Sequence, residues 1–180
     1  AGIQAVLAGA MIYSGLELES LGQIIAPFSI KLGFFSLLFT VFITIGVINA
    51  FNMVDGIDGL LAGLSSVSFA GIGVLMWING EHAIAAWCLA IVLTLIPYAM
   101  FNLSVFGAKW KVFMGDSGST LIGFTIIWML LLSTQGQGHA ISPITGLWLI
   151  AVPLIDMVAV IFRITLTVLD RHFYLVGNLL

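Results

Sequence analysis

Charged residues are scarce in this sequence: 5 Lys and Arg and 8 Asp and Glu make up 7% of its 180 residues. A soluble domain has about a quarter of its residues charged, so this composition argues against a soluble protein. Hydrophobic residues reach 61%, and the mean hydropathy is +1.22. The formal net charge of −3 gives no basic surface for nucleic acid. We therefore expect a protein embedded in the lipid bilayer, with no nucleic acid as a partner.

Cysteine occurs once, at Cys88, inside an apolar run, which excludes an internal disulfide and predicts a small core residue. A recognisable signal peptide is also missing. The chain starts at Ala1 with AGIQAVLAGAMIY, which has neither the basic flank nor the cleavage site that such a peptide needs. We expect the amino-terminal part of a larger protein to be absent from this chain.

Long apolar runs, in contrast, are plentiful. About 20 helical residues cross the roughly 30 Å hydrocarbon core of a bilayer, and five runs approach that length: residues 32–51, 60–78, 83–101, 118–134 and 144–162. Residues 1–16 look like the remnant of another span, and 173–180 are too short to cross. The expected fold is an all-α, polytopic transmembrane helix bundle with about five full spans and a partial first span, a fragment of a larger bundle.

The basic residues are unevenly divided between the two ends of these spans. Two spans separate Asp58 from Asp116, and two more separate Asp116 from Arg163, so all three lie on one face. That face carries four of the five basic residues, namely Lys109, Lys111, Arg163 and Arg171. The positive-inside rule then places the Asp-rich face in the cytoplasm.

The stretch NAFNMVDGIDGL, residues 49–60, places Asn49, Asn52, Asp55 and Asp58 three residues apart. Gly56 and Gly59 favour a turn. We therefore expect a helix that ends near Asn52, followed by a tight loop that presents Asp55 and Asp58 at the membrane edge. Two close carboxylates repel unless a cation or a donor-rich ligand lies between them, which suits a divalent metal or a sugar nucleotide. A plain turn with capping residues stays open, because Asp-Gly is a common turn dipeptide.

A second polar stretch, KVFMGDSGST, covers residues 111–120. Asp116 lies between Gly115 and Ser117, and an apolar helix is predicted to start immediately after Gly118. A helix start offers free N–H groups and a positive dipole end to phosphate. Asp116 is then a candidate ligand for Mg²⁺, with Mn²⁺ as the alternative cation. Simple N-capping by Asp116 or Ser117 is the competing interpretation.

Two further residues are candidates on chemical grounds. Asp156, in PLIDMVAVIFR, lies seven residues inside the predicted membrane edge at Arg163. A carboxylate at that depth usually faces a polar cavity or a partner, so both a substrate contact and a structural contact are open. Lys111 is a candidate phosphate contact, although orientation during membrane insertion explains it equally well.

Taken together, INAFNMVDGIDGLLAGLS, KVFMGDSGSTLIGF and PLIDMVAVIFR resemble the polyprenyl-phosphate N-acetylhexosamine-1-phosphate transferases, up to about Arg163. The match is strongest to the bacterial members that use undecaprenyl phosphate. The resemblance implies Mg²⁺-dependent transfer of GlcNAc-1-phosphate from UDP-GlcNAc to undecaprenyl phosphate with release of UMP, the start of O-antigen and enterobacterial common antigen synthesis. It also implies a multi-pass protein of the bacterial inner membrane with a cytoplasmic site, and a homo-oligomer is compatible with it.

Carried over position by position, the resemblance implies metal binding by Asp116. It implies nucleotide and substrate binding by Asn52, Asp55 and Asp58. From the residues and the resemblance combined, we expect Asp55, Asp58 and Asp116 to be catalytic. The expected substrate-binding set is Asn49, Asn52, Lys111, Gly115, Ser117, Asp156 and His172.

Two features of the family have no clear counterpart. Its members carry adjacent Asp residues on an earlier cytoplasmic loop, and nothing before Asn49 matches them. They also carry a His-rich loop, where VLDRHFYLVGNLL offers a single histidine, His172. We therefore expect one transmembrane transferase domain over residues 1–180, incomplete at the amino end and divergent or truncated after about residue 163. Inactivity of the isolated chain is compatible with this expectation.

Three alternatives remain at this point. The phospho-MurNAc-pentapeptide transferase of peptidoglycan synthesis shares both Asp motifs. An ion-coupled transporter would place acidic groups near mid-membrane in discontinuous helices, whereas Asp55, Asp58 and Asp116 are all predicted at one membrane edge. The third alternative is a non-catalytic fragment that only folds or associates with other chains.

Overall fold

The computed structural model describes residues 2–20, 32–135 and 141–177, with side chains described as far as residue 167. Within these ranges the chain is all-helical, as predicted, and two short 3₁₀ turns lie at Gly33–Phe35 and Ala108–Trp110. The helices are α1 (Gly2–Tyr13), α2 (Ser36–Val54), α3 (Leu60–Ile78), α4 (His82–Asn102), α5 (Gly115–Thr134), α6 (Pro143–Leu149) and α7 (Ala151–Gly177).

Four of these segments are long and apolar enough to cross a membrane: Gly33–Val54, Leu60–Ile78, His82–Asn102 and Gly115–Thr134. They correspond to the first four expected spans. The fifth expected span, residues 144–162, is divided into α6 and α7, which meet at an angle of 72°. The pair is either one broken span or a re-entrant segment, so the described residues form four or up to five spans by length and composition.

The break between α6 and α7 has an identifiable cause. Pro153 has no backbone N–H, so it cannot donate to the carbonyl of Leu149 as a helical residue would. The hydroxyl of Ser68 on α3 lies 2.8 Å from that carbonyl oxygen and satisfies it. A neighbouring helix thus compensates for the interrupted hydrogen bonding, which is how membrane proteins tolerate such breaks.

Helix α2 is the centre of the packing. It lies mainly against α5 and also contacts α1 and α7. Close approach of α2 and α5 depends on Gly123, because a Cβ atom there would lie 2.9 Å from the Cα atom of Ile48. Phe51, on the same face of α2, is fully buried. The two helices are therefore held at nearly backbone-to-backbone distance one turn below the polar end of the bundle.

Helix α4 packs extensively but mainly against one neighbour, α3, and it is the least buried of the four spans, with 17% of its apolar window buried. Its last residue lies at the same end of the bundle as the end of α2 and the start of α5. The connections 55–59 and 103–114 therefore meet at one end of the bundle, since consecutive spans run in opposite directions. This end brings the two polar motifs together.

Candidate active site

The first wall of the site is the turn after α2. The helix continues to Val54, two residues further than expected, and Asp55 follows as its carboxyl-terminal cap. Gly59 adopts φ +75°, a left-handed conformation that favours glycine, and a Cβ atom there would also lie 2.6 Å from a methyl carbon of Leu103. Backbone hydrogen bonds from Ile57 to Val54 and from Leu60 to Ile57 close the turn.

The second wall is the start of α5, which differs from expectation. The helix begins at Gly115 with φ +70°, not after Gly118, so Asp116 lies in its first turn. No side chain caps this helix start, which contradicts the interpretation of Asp116 or Ser117 as a simple N-cap. A carboxylate in the first turn is stabilised by the positive end of the helix dipole. Asp116 remains exposed, and no hydrogen bond of its side chain is described.

Asp55 connects the two walls. Its carboxylate is close enough to the backbone N–H of Gly115 and to the negative charge of Asp116 for both groups to act on its pKa. Partial burial raises the pKa of Asp55 above its usual range, the backbone N–H of Gly115 opposes this, and the charge of Asp116 adds to the rise. The carboxylates at the end of α2 and in the first turn of α5 are therefore close enough for their charges to repel.

The chemistry of this pair suits a hard divalent cation. Among the residues that the structure describes, no group of three or more His, Cys, Asp and Glu side chains is arranged to hold a metal. Mg²⁺ is normally bound by only one or two carboxylates, with waters and substrate phosphates completing its shell. Asp55 and Asp116 fit that type of site. Burial raises the pKa of Asp55 most and the charge of Asp116 adds to the rise, and a cation between them would relieve this repulsion.

A third contact closes the outer edge of the site. Lys111 Nζ lies 2.6 Å from Asp58 Oδ2, and the same ammonium is 5.0 Å from the centre of the Phe113 ring. The two charged side chains are 28% and 50% exposed, so the ion pair contributes little to stability. The ion pair does hold the positively charged Lys111 ammonium beside the carboxylate of Asp58.

Two buried polar side chains of the site were not singled out from the sequence. Asn52 Nδ2 donates to Ser119 Oγ over 3.0 Å, and Ser119 Oγ lies 3.1 Å from the carbonyl oxygen of Gly115. Ser119 is the first of these two residues. The second is Asn102, at the end of α4, which forms hydrogen bonds with both polar connections. Ser119 was detectable as the residue one turn after Gly115, had the true start of α5 been known.

Other predicted site residues are not brought to the carboxylates. Asn49 Oδ1 accepts a hydrogen bond from Gln4 Nε2 on α1, at 3.0 Å. Asp156 is exposed on α7, and no hydrogen bond or ion pair of its side chain is described.

The depth of Asp156 can be judged from the next residue. Met157 packs at Gly46, which lies nine residues, or about 14 Å along the helix, from Asp55.

Ser117 is exposed near Asp116, and no hydrogen bond of its side chain is described either. The side chain of His172 lies outside the described residues.

Comparison with known proteins agrees with the sequence motifs. Residues 1–134 match the family model described as glycosyl transferase family 4. The undecaprenyl-phosphate alpha-N-acetylglucosaminyl 1-phosphate transferase of Haemophilus influenzae is 62% identical over 165 residues, covering 91% of this chain and 46% of that protein.

Two enterobacterial proteins with the same name are also similar. Those of Escherichia coli K12 and Salmonella typhi are each 55% identical, over 85% and 89% of this chain and 42% and 44% of their own length. The chain thus spans less than half the length of each of these relatives. Their shared name does not favour the phospho-MurNAc-pentapeptide alternative.

Proposed function

Because this chain belongs to glycosyl transferase family 4, we propose that its site transfers GlcNAc-1-phosphate from UDP-GlcNAc to undecaprenyl phosphate and releases UMP. The observation that supports this most directly is the meeting of Asp55 and Asp116 at one end of a multi-pass membrane bundle. Such a site can receive a water-soluble nucleotide from one side and a lipid-linked phosphate from the other.

The reaction forms one P–O bond and breaks another. An oxygen of the lipid phosphate attacks the sugar-linked phosphorus, and UMP leaves with the electron pair of the broken bond. Phosphoryl transfer of this kind depends on positioning and on neutralising negative charge. Asp55 and Asp116 would hold Mg²⁺, which when bound supplies that neutralisation at the diphosphate.

The remaining side chains of the site have roles that follow from their contacts. Lys111 provides a positive charge at the outer edge, where it can exchange its contact with Asp58 for a donor phosphate. Asn52 is oriented by Ser119, and its amide oxygen is left to accept a hydrogen bond from the sugar nucleotide. Asp58 balances Lys111 before the donor arrives.

We assign the site to the cytoplasmic side of the bacterial inner membrane. Lys109 and Lys111 lie in the connection between α4 and α5 at this end of the bundle, which agrees with the positive-inside rule. UDP-sugars are cytoplasmic donors, so this orientation and the proposed substrate are consistent. The product would be the lipid-linked sugar diphosphate from which O-antigen and enterobacterial common antigen synthesis starts.

UMP release from UDP-GlcNAc in the presence of undecaprenyl phosphate and Mg²⁺ tests the proposal, with the chain in its full-length context. Asp116→Asn should lower turnover at least about a hundredfold, because a metal ligand contributes several kcal/mol of transition-state stabilisation. Glu81→Gln, the same type of change at the exposed start of α4, should leave turnover unchanged. Wild-type turnover in Asp116→Asn would refute the metal assignment.

The donor is tested separately in the same assay. UDP-MurNAc-pentapeptide should neither replace UDP-GlcNAc nor compete with it at comparable concentrations. If the pentapeptide donor were used in preference, the site would belong to the peptidoglycan branch of the reaction.

A further inference from the structure

Asn102, the last residue of α4, is a buried polar side chain with both of its hydrogen-bonding groups engaged. It is 4% exposed. Its Oδ1 accepts from the backbone N–H of Gly59, and its Nδ2 donates to the carbonyl oxygen of Val112 over 2.9 Å. Gly59 ends the turn that carries Asp55, and Val112 begins the segment that leads to Asp116. One amide therefore joins the two walls of the site.

This contact requires a side chain that accepts and donates at the same time. The two backbone groups are a donor and an acceptor, and a single side chain must offer the complementary acceptor and donor at the same reach. Both hydrogen bonds are partly buried, and Val112 is 49% exposed, so water replaces part of what is lost when the bridge is broken. The cost is that of an ordinary intramolecular hydrogen bond at each segment. Leu103 packs directly under Gly59, which fixes the turn against the end of the same helix.

A second bridge lies immediately outside the first. Asp58 and Lys111 directly precede Gly59 and Val112, and their ion pair joins the same two segments in a largely exposed position. An exposed ion pair is weakened by water and salt, whereas the amide of Asn102 carries no charge to be screened and is itself buried. The spacing between the two segments is therefore set by Asn102 rather than by the ion pair.

We infer that Asn102 is a positioning residue that holds the Asp55–Gly59 turn and the Val112–Asp116 segment at the spacing the transfer reaction needs. It acts through the backbone of Gly59 and Val112. The catalytic consequence rests on the proposed function of the site, whereas the structural bridge does not. No sequence motif assigns this role, because Asn102 lies outside both polar stretches.

The bridge itself is measured by hydrogen–deuterium exchange, which needs no activity. Asn102→Leu, close in shape but without polar groups, should raise exchange in peptides covering residues 56–60 and 111–116. Ser68→Ala is the matched control, since it removes a buried hydrogen bond of 2.8 Å to Leu149 and touches neither segment. It should leave exchange in both peptides at the wild-type level.

The positioning role is measured by steady-state kinetics on the same variants. Asn102→Leu should lower kcat at least about tenfold and raise the Mg²⁺ concentration needed for half-maximal rate, since transition-state geometry is lost. Ser68→Ala should stay within about twofold of wild type at a similar loss of thermal stability.

Asn102→Asp supplies a test within one folded protein. The ionised carboxylate still accepts from Gly59 but cannot donate to Val112, whereas the protonated carboxyl can do both. The activity of Asn102→Asp relative to wild type should therefore rise as the pH is lowered. The other ionisable side chains are the same in both proteins, so the ratio removes the pH dependence that the two proteins have in common.

The outcomes separate the two proposals. Unchanged exchange in Asn102→Leu, or raised exchange with unchanged kcat, would overturn the positioning role. A pH-independent ratio for Asn102→Asp would do the same if the Leu variant fails to fold. Raised exchange in a protein that releases no UMP even as wild type would refute the proposed function and leave the bridge intact.

Discussion

Gly123 is the point where α5 comes closest to α2, and its replacement by alanine is the sharpest test of how packing positions the site. The added Cβ atom would lie 2.9 Å from Ile48 Cα and 3.4 Å from both Ile48 O and Phe51 Cβ. Carbon atoms prefer separations of about 3.5–4.0 Å, so the helices must move apart by roughly 0.6–1.1 Å. Backbone atoms of Ile48 cannot rotate away as a flexible side chain would.

This displacement has a direct consequence one turn along the same helices. Asn52 Nδ2 lies 3.0 Å from Ser119 Oγ, and the same separation would lengthen that contact to roughly 3.6–4.1 Å, beyond hydrogen-bond distance. Overpacking typically costs about 1–3 kcal/mol. We therefore expect Gly123→Ala to lower both stability and the affinity for the sugar nucleotide that we propose Asn52 binds.

Gly63→Ala is the matched control, because a Cβ atom at Gly63 on α3 would meet nothing within 4 Å. Its effect should be limited to the gain in helix propensity, about 0.5–1 kcal/mol in the stabilising direction. Thermal unfolding in detergent and the KM for UDP-GlcNAc measure both variants. If Gly123→Ala were as stable and as active as Gly63→Ala, the close contact between α2 and α5 would not position Asn52.

Three further changes give independent tests. Burial and the charge of Asp116 raise the pKa of Asp55, so wild-type stability should fall as pH rises from the ordinary aspartate range through that raised pKa. Without divalent cations, the thermal unfolding temperature of Asp55→Asn should be higher than that of wild type at neutral pH. The two unfolding temperatures should converge as the pH is lowered. Lys111→Met should raise the KM for UDP-GlcNAc about tenfold, because a charge-assisted hydrogen bond is lost. Lys109→Met is the control and should leave this KM unchanged. Equal effects of the two substitutions would refute a specific phosphate contact by Lys111. Thr44→Val should be neutral or stabilising in the same unfolding assay, since its buried hydroxyl has no partner within the described ranges; clear destabilisation would reveal a partner.

The spans were predictable because hydropathy is a local property. Residues 60–78 form α3 as expected, and the first, third and fourth runs all end within a few residues of the prediction. The division of the last span was not predictable. Pro153 alone does not break a membrane helix, and the break is stabilised by Ser68, a residue more than eighty positions away.

The site was predictable in part for a similar reason. Two spans separate the motifs that contain Asp55 and Asp116, so their meeting on one face follows from counting crossings. The prediction that α5 starts after Gly118 was wrong. The left-handed backbone conformation of Gly115 allows the helix to begin before the apolar run. Ser119 and Asn102 were missed because their importance depends on which helices touch.

Helix α4 links this chemistry to the thickness of the membrane. Its 21 residues measure about 32 Å, close to the roughly 30 Å hydrocarbon core of a bilayer, and it packs mainly against α3 alone. A helix with a single main neighbour accommodates hydrophobic mismatch by tilting. Because α4 ends at Asn102, a tilt moves the bridge between the two walls, so we expect the acyl-chain length of the surrounding phospholipids to affect the rate of the proposed transfer.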